Sequence, residues 1–504
     1  MYAALPGADE GRAGGGAAYT IGGRDQLAWQ VYNLWMSSTA AIEPHGKPDG
    51  ELTRSITGRL LFFYVLGDVL GSGVYVLIGL VAGAVGGAFW IAFAAGVTLA
   101  TITGLAYAEL ATKFPQAAGA SLYVNKAFRN PVLTFLITIC SLSAVFAASG
   151  SLATGFARYF GSIFDLVPAL LVTLVFIALL TLVNFIGITE SVVINMIMTF
   201  IEISGLILVM VIGVIVVVRG DADFGVLTSF TAEGNPIFAI VAGVALAFFA
   251  MTGFENAANV AEETINPAKN FPRALIGGMV AAGVIYVLVA MSAALVVPVA
   301  TLAGADAALL EVVRAGVLPG SVEVMLKVFA VVAMIAITHT TLVSVVTQSR
   351  ILYGMGREDV VPAVFSKIHP TRRSPYVALL FSALVVAALL VIGEVLSGVD
   401  PDLDIVGRLA TVTVVFLLFI YALVIVSTLK LRGEGETEDS YRANTALLYL
   451  GVLGNIVLLG YVVIDDPGSL YWVGGLLALG GALYLAQRAS NARGSSGHAT
   501  DGRA

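Results

Sequence analysis

Gly67-Asp-Val-Leu-Gly-Ser-Gly-Val-Tyr75 interrupts a hydrophobic run that is otherwise long enough to cross a bilayer. A second stretch, Phe248-Phe-Ala-Met-Thr-Gly-Phe-Glu-Asn256, does the same 182 positions later, counted from Gly71 to Gly253. A helix in lipid satisfies its own backbone because hydrocarbon offers no hydrogen-bond partner. A break at mid-membrane is tolerable only where the freed amides and carbonyls face protein, water or a bound solute. Two such breaks at corresponding places in two halves of a chain point to a solute site between them.

Working outward from the breaks, the whole chain reads as membrane-embedded. Of 504 residues, 58% are hydrophobic and 12% charged, against roughly 25% charged in soluble domains. The apolar material falls into runs of about 20 residues, the length that spans a ~30 Å hydrocarbon core. Twelve runs are predicted as spans, near 60–84, 88–110, 132–157, 166–187, 192–218, 236–258, 275–299, 327–347, 376–396, 405–429, 444–464 and 470–487. The segment from Leu302 to Lys327 before the eighth is mildly polar and is expected to hold a short surface helix. The net charge of −7 sits mostly in tails and loops and identifies no partner; nothing in it calls for nucleic acid.

Five spans cover 60–218 and five more cover 236–429, with two extra spans at 431–487. The first span of each five carries the glycine break. An odd number of spans per half forces the second half to insert upside down, so inverted repeats follow from the count. The fold class expected is an all-α membrane protein with a 5+5 inverted repeat and two peripheral helices, twelve spans in all. Residues 1–57 read as a flexible cytoplasmic tail and 488–504 as a cytoplasmic C-tail around a transporter core at 58–430. Met36 opens a stretch that would serve equally well as a start.

Basic residues set the expected orientation. Of the 26 Lys and Arg, 21 fall in segments that are cytoplasmic if the N-terminus is inside; Arg158, Arg219, Arg314, Lys327 and Arg408 remain. Both termini are therefore placed in the cytoplasm, the bilayer being the plasma membrane. Cys140 is the only cysteine, so no intrachain disulfide forms, and His45, His339, His369 and His498 are scattered. No metal site and no cofactor are expected. The first 57 residues lack the apolar core of a cleavable signal peptide.

At the first break, Gly71 and Gly73 flank Ser72. Amides of Ser72, Gly73 and Val74 would open the following half-helix, whose positive end and unpaired donors suit a carboxylate. At the second break, carbonyls from Phe249 to Thr252 would be freed where a half-helix ends, and these suit an ammonium group or a cation. A donor cluster facing an acceptor cluster is a receptor for a zwitterion. Read alone, Gly-x-Gly also fits simple helix crossing.

Leu70-Gly-Ser-Gly-Val-Tyr-Val-Leu-Ile-Gly79 resembles the first helix of the amino acid–polyamine–organocation (APC) permease superfamily, and within it the cationic amino acid transporter branch. The run Phe248–Glu255 with Ala261-Glu-Glu-Thr-Ile-Asn-Pro267 and Pro272-Arg-Ala274 is similar to the superfamily's sixth helix and its following loop. Ala106-Tyr-Ala-Glu-Leu110 with Phe114-Pro-Gln-Ala-Ala-Gly119, and Ser349-Arg-Ile-Leu-Tyr353 with Arg357, Pro362 and Pro375, continue the likeness in order to about residue 430. The resemblance implies the leucine-transporter fold. It also implies that amides of Ser72, Gly73 and Val74 hold the substrate carboxylate. Carbonyls of Val69, Phe249 and Thr252 would meet its amino group, the Phe249 ring would gate the site, and Gly253 would keep room for that ring.

Charges inside spans are costly and functional by default. Asp68 lies one turn before Gly71, Glu255 follows the second break, and Glu202 is mid-way along the fifth span. Proton-coupled relatives often carry a lysine near Glu202, and this chain has none. Glu202, Asp68 or Glu255 would then carry the proton, or each would be a protonated carboxyl in a helix–helix hydrogen bond. Sodium is the rival coupling ion, with Thr338, Thr340, Thr341 and Ser344 as oxygen donors, and exchange stays open.

The reading is a secondary transporter of amino acids, cationic ones favoured by Asp68 and Glu255, working by alternating access. A transporter-like amino acid sensor and a sodium-coupled amine or polyamine transporter are the alternatives. A channel would need a continuous polar stripe, and a membrane enzyme a convergent His/Asp/Glu or Ser/His cluster. Neither pattern is present, and no enzyme activity is expected.

Overall fold

Helices α1 (Gly58–Leu70) and α2 (Gly73–Val85) meet at Gly71-Ser72 and bend by 43°, so that one membrane span is made of two half-helices. The computed structural model describes residues 54–497 apart from 116–118, 165–166, 187–191, 232–234, 316–319, 359, 373, 401–402, 435 and 437–439. The expected N-terminal tail up to residue 53, the alternative start at Met36, and His45 and His498 lie outside the described residues.

The remaining spans follow in order. They are α3 (Trp90–Lys113), α5 (Pro131–Gly161), α6 (Ala169–Ile186), α7 (Val192–Arg219) and α8 (Pro236–Ala250). Then come α9 (Pro267–Val296), α12 (Val322–Arg357), α13 (Tyr376–Val399), α14 (Ile405–Lys430), α15 (Thr445–Asp465) and α16 (Ser469–Gly497). A short helix, α4 (Gly119–Phe128), links α3 to α5. Caps and breakers explain many of these ends. Asn130 and Asn235 accept the first free amides, and a proline fills the next position, where no hydrogen is needed. Among the described residues, with the bent pair counted as one, twelve helices are long and apolar enough to span a membrane, one for each predicted run. Among the described residues no strand forms beyond one parallel bridge, Ile56 to Thr264, which fastens the chain entering α1 to the loop leaving the second break.

Two departures from the expected spans are seen. Helix α12 has 36 residues, roughly 54 Å at 1.5 Å per residue, because Glu323, Lys327, Arg350 and Arg357 at its ends lower the hydropathy without breaking the helix. The segment before it folds into two short helices, α10 (Val299–Gly304) and α11 (Ala308–Arg314). α11 is less superficial than expected, since Leu309, Leu310, Val312 and Val313 are buried.

Packing follows the two-fold expected of inverted repeats. Numbering spans 1 to 10, the first four spans each pack on the counterpart five places on: 1 on 6 (α2 on α8), 2 on 7 (α3 on α9), 3 on 8 (α5 on α12), and 4 on 9 (α6 on α13). The other contacts come in exchanged pairs. Span 1 packs on 7 as 6 packs on 2, 1 on 5 as 6 on 10, and 3 on 10 as 8 on 5. Outward faces stay apolar: Leu380, Leu384 and Val395 of α13 and Leu450, Leu453 and Val457 of α15 are all exposed. Such continuous apolar faces are what lipid covers.

Candidate substrate site

The two breaks touch because glycine lets them. Gly73 lies against the backbone of Ala250, so that a Cβ there would overlap Ala250 Cα. Gly253 lies against the other break: a Cβ would sit 2.6 Å from the Asp68 carbonyl oxygen, and its φ of +114° is already closed to other residues. The room expected for the Phe249 ring is therefore used by the Asp68 backbone. Beyond Gly253 the chain does not resume an α-helix; it continues as a 3-10 helix over Phe254–Val260.

Between the breaks is one cavity, with about 70 Å³ open to the centre of a water-sized molecule. From the first break it is lined by Asp68, Val69, Gly71, Ser72 and Gly73, and from the second by Phe249, Ala250, Thr252, Gly253, Glu255 and Asn256. α5 closes one side with Val145 and Ala148, α12 another with Thr340, Ser344 and Thr347, and α14 contributes Thr413. Of the binding and coupling residues singled out from sequence, Val74, Glu202, Thr338 and Thr341 do not line it. Its lining includes two carboxylates and no lysine, arginine or histidine.

The freed backbone groups are partly used within the protein. Ser72 N–H donates to Thr340 Oγ1 at 3.2 Å, so one of the three amides expected for a carboxylate is occupied here. The next two, of Gly73 and Val74, are the first of a helix and have no partner within it. Tyr286, from α9, donates its hydroxyl toward both Val69 O and Ala250 O, joining the carbonyls freed at each break. Phe249 O accepts from Thr252 N–H and Thr252 Oγ1 at 3.1 and 2.8 Å.

The carboxylates are held from different sides. Asn256 Nδ2 donates to Asp68 Oδ2 at 3.1 Å, tying the second break to the first. Glu255 Oε2 accepts from Gly253 N–H at 2.9 Å and from Tyr421 Oη of α14 at 2.7 Å. Glu202 stands apart, with its Oε1 2.9 Å from His339 Nδ1 of α12. Sequence reasoning missed Tyr286, Asn256, Tyr421 and His339. Tyr286 had a signal, as the lone hydroxyl-bearing aromatic in an aliphatic span. His339 was weighed only as a metal ligand. Among the described residues no cluster of three His, Cys, Asp or Glu forms.

An amino acid permease profile matches residues 58–475. The chain belongs to the amino acid permease family. Among relatives of this permease, cationic amino acid transporter 9 of Arabidopsis thaliana, a chloroplastic protein, is 29% identical over 63% of the chain and 58% of the plant protein. The branched-chain amino acid permease BcaP of Bacillus subtilis is 27% identical over 63% of the chain and 70% of its own length. A methylthioribose transporter of the same bacterium is 26% identical over 72% and 80%. Of solved structures, the manganese transporter of Eremococcus coleocola superimposes with a TM-score of 0.59 at 12% identity, covering 86% of the permease and 92% of that chain. That likeness carries the fold, the leucine-transporter-type 5+5 repeat with two added helices, and nothing of the cargo. The permease is a multi-pass membrane protein of the APC superfamily, resembling its cationic amino acid transporter branch.

Proposed function

We propose that this permease is a secondary transporter of cationic amino acids, working by alternating access in the plasma membrane with both termini in the cytoplasm, and driven by protons. The observation that carries the reading is the single cavity shared by both breaks, acidic on its lining and without a basic side chain. The substrate carboxylate meets the amides of Gly73 and Val74, and that of Ser72 once Thr340 releases it. The α-ammonium group meets carbonyls near Val69, Phe249 and Thr252. Asp68 and Glu255 then supply the negative charge that a cationic side chain needs, and the Phe249 ring covers the occupied site. Relatives named for cationic amino acids support the same class.

The way the breaks are tied supports the alternating-access reading. Gly73 on Ala250, Gly253 on Asp68 and Tyr286 on both carbonyls join α1, α2, α8 and α9 into one body. α5 and α12 form the opposing wall and pack on each other. Rocking one body against the other opens the cavity to each side in turn. Sodium gains no separate support. The hydroxyls of Thr338, Thr340, Thr341 and Ser344 each donate to the carbonyl four residues earlier, the ordinary state of such residues in apolar helices.

The test is substrate-induced thermal stabilisation of the purified protein across a panel of amino acids and amines. L-Arginine and L-lysine are expected to stabilise it, and neutral isosteres are not. Asp68→Asn is expected to weaken binding of the cationic ligands by about tenfold or more, the loss of one charge-assisted hydrogen bond. Unchanged binding and uptake in Asp68→Asn would remove Asp68 from substrate recognition.

A further inference from the structure

A buried acid and imidazole lie outside the substrate cavity, on the two helices that bond to the half-helix opening onto it. Glu202, mid-way along α7, is fully buried, and His339, mid-way along α12, is 3% exposed. Their side chains meet at 2.9 Å. Glu202 Oε2 is buried and accepts no hydrogen bond. A pair that served only to join two helices would be made more cheaply by two amides, because an ionisable group in a span carries a desolvation cost. A buried carboxylate oxygen with no donor is instead a place for a proton.

Each member of the pair sits at a point where its helix is bonded to α2. Tyr75 Oη donates to the backbone carbonyl of Glu202 at 2.7 Å. Gly205, one turn further along α7, makes this possible, since a Cβ there would lie 2.5 Å from Tyr75 Oη. His339 precedes Thr340, the residue that accepts the Ser72 amide. The helices that carry the pair, α7 and α12, therefore hold α2 at the break, through Thr340, and again within its first turn, through the Glu202 backbone carbonyl.

We infer that Glu202 and His339 form the proton-loading site of this transporter, and that loading is conveyed to the substrate site through Tyr75 and Thr340. The inference rests on the transporter reading above. Unloaded, a carboxylate accepts from a neutral imidazole and the pair bears one negative charge. Loading adds one proton from water on one side of the membrane, forming one O–H or N–H bond, and the pair becomes neutral whichever member holds it. Release to the other side restores the carboxylate and balances the cycle. Other ionisable groups on the packed helices are few. α1 brings Arg59, Tyr64 and Asp68; α2 brings Tyr75, backed by Tyr159 of α5, which also carries Cys140 and Arg158; α9 brings Lys269, Arg273 and Tyr286; α11 brings Glu311 paired with Arg314; and α13 brings Tyr376 and Glu394 near its two ends. On α12, no ionisable residue besides His339 lies between Lys327 and Arg350.

The test uses the full chain in proteoliposomes carrying an internal pH dye, with L-arginine as the probe. Wild type is expected to exchange labelled arginine at equal pH, and to move protons with arginine when an arginine gradient is imposed. Glu202→Gln is expected to keep arginine binding and exchange while losing both the proton flux and the stimulation of uptake by a pH gradient. His339→Asn keeps the pair polar and is expected to displace the pH profile of uptake, so it carries the test if Glu202→Gln does not fold. Proton flux at the wild-type level in both variants would overturn the inference, as would wild-type transport that moves no protons. Failure of the wild type to bind or exchange any amino acid would overturn the functional reading itself, and the inference with it.

Discussion

Gly253 and Tyr286 show how much rests on single residues at the breaks. Gly253→Ala forces a side chain into a left-handed backbone and against the Asp68 carbonyl, a strain of about 1–3 kcal/mol. The expected outcome is a lower melting temperature with loss of arginine-induced stabilisation, read in one thermal-shift experiment. Tyr286→Phe removes the donor shared by Val69 and Ala250 and leaves buried carbonyls short of a partner, costing about 1–3 kcal/mol. Both thermal stability and arginine affinity are expected to fall, whereas a purely packing role for the ring would leave both near wild type. The glycines were legible in sequence, because only glycine tolerates such breaks in succession. Their reasons were less so: Gly253 was expected to keep room for the Phe249 ring, and the closest approach to it comes from the Asp68 backbone. The partners Tyr286, Asn256 and His339 are contributed by other helices, and one sequence holds no record of which helix faces which.

At the scale of elements, the end of α3 is fastened to the connection between α14 and α15. Glu109, fully buried, accepts from Lys113 at 3.0 Å, from Arg432 at 3.2 Å and from Ala443 N–H at 2.9 Å. Glu109→Gln strands two cations on a buried amide, and breaking such a cluster costs about 3–5 kcal/mol. A melting-temperature drop without change in arginine affinity is expected, since the cluster does not line the cavity. Glu436 joins from the loop, where hydrogen bonding to the Lys113 ammonium, and secondarily to Gly433 N–H, holds its carboxyl below the ordinary range. A depressed folded-state pKa adds stability above the unfolded value and loses it as pH falls through the folded one. Melting curves of wild type and Glu436→Gln should therefore differ near neutral pH and converge in acid. The sequence presented Glu109 only as part of Ala106–Leu110; its partners Arg432 and Ala443 lie more than 300 positions away.

At the scale of the molecule, the hydrophobic runs foretold all twelve spans, because run length is set by bilayer thickness and is local. Helix ends were less legible: α12 extends beyond its run on both sides, since charged ends stay helical where the span meets water. Pairing of the halves was legible as a count, and its contacts only in three dimensions. Each broken span exchanges a tyrosine–glutamate hydrogen bond with the last span of its own half, Tyr75 to Glu202 and Tyr421 to Glu255. The first bond uses a backbone oxygen and leaves the Glu202 carboxylate to His339. The second uses the carboxylate itself, beside the cavity. One fold thus places Glu255 on the cavity lining and Glu202 behind it. The most direct measurement is uptake of labelled L-arginine into proteoliposomes, competed by L-lysine, by the neutral isostere L-norleucine, and by agmatine, which lacks the carboxylate. The account predicts uptake abolished by L-lysine and untouched by norleucine and agmatine, because the site needs both the amino acid backbone and the cationic side chain. Agmatine competing as well as L-lysine, or norleucine doing so, would contradict it.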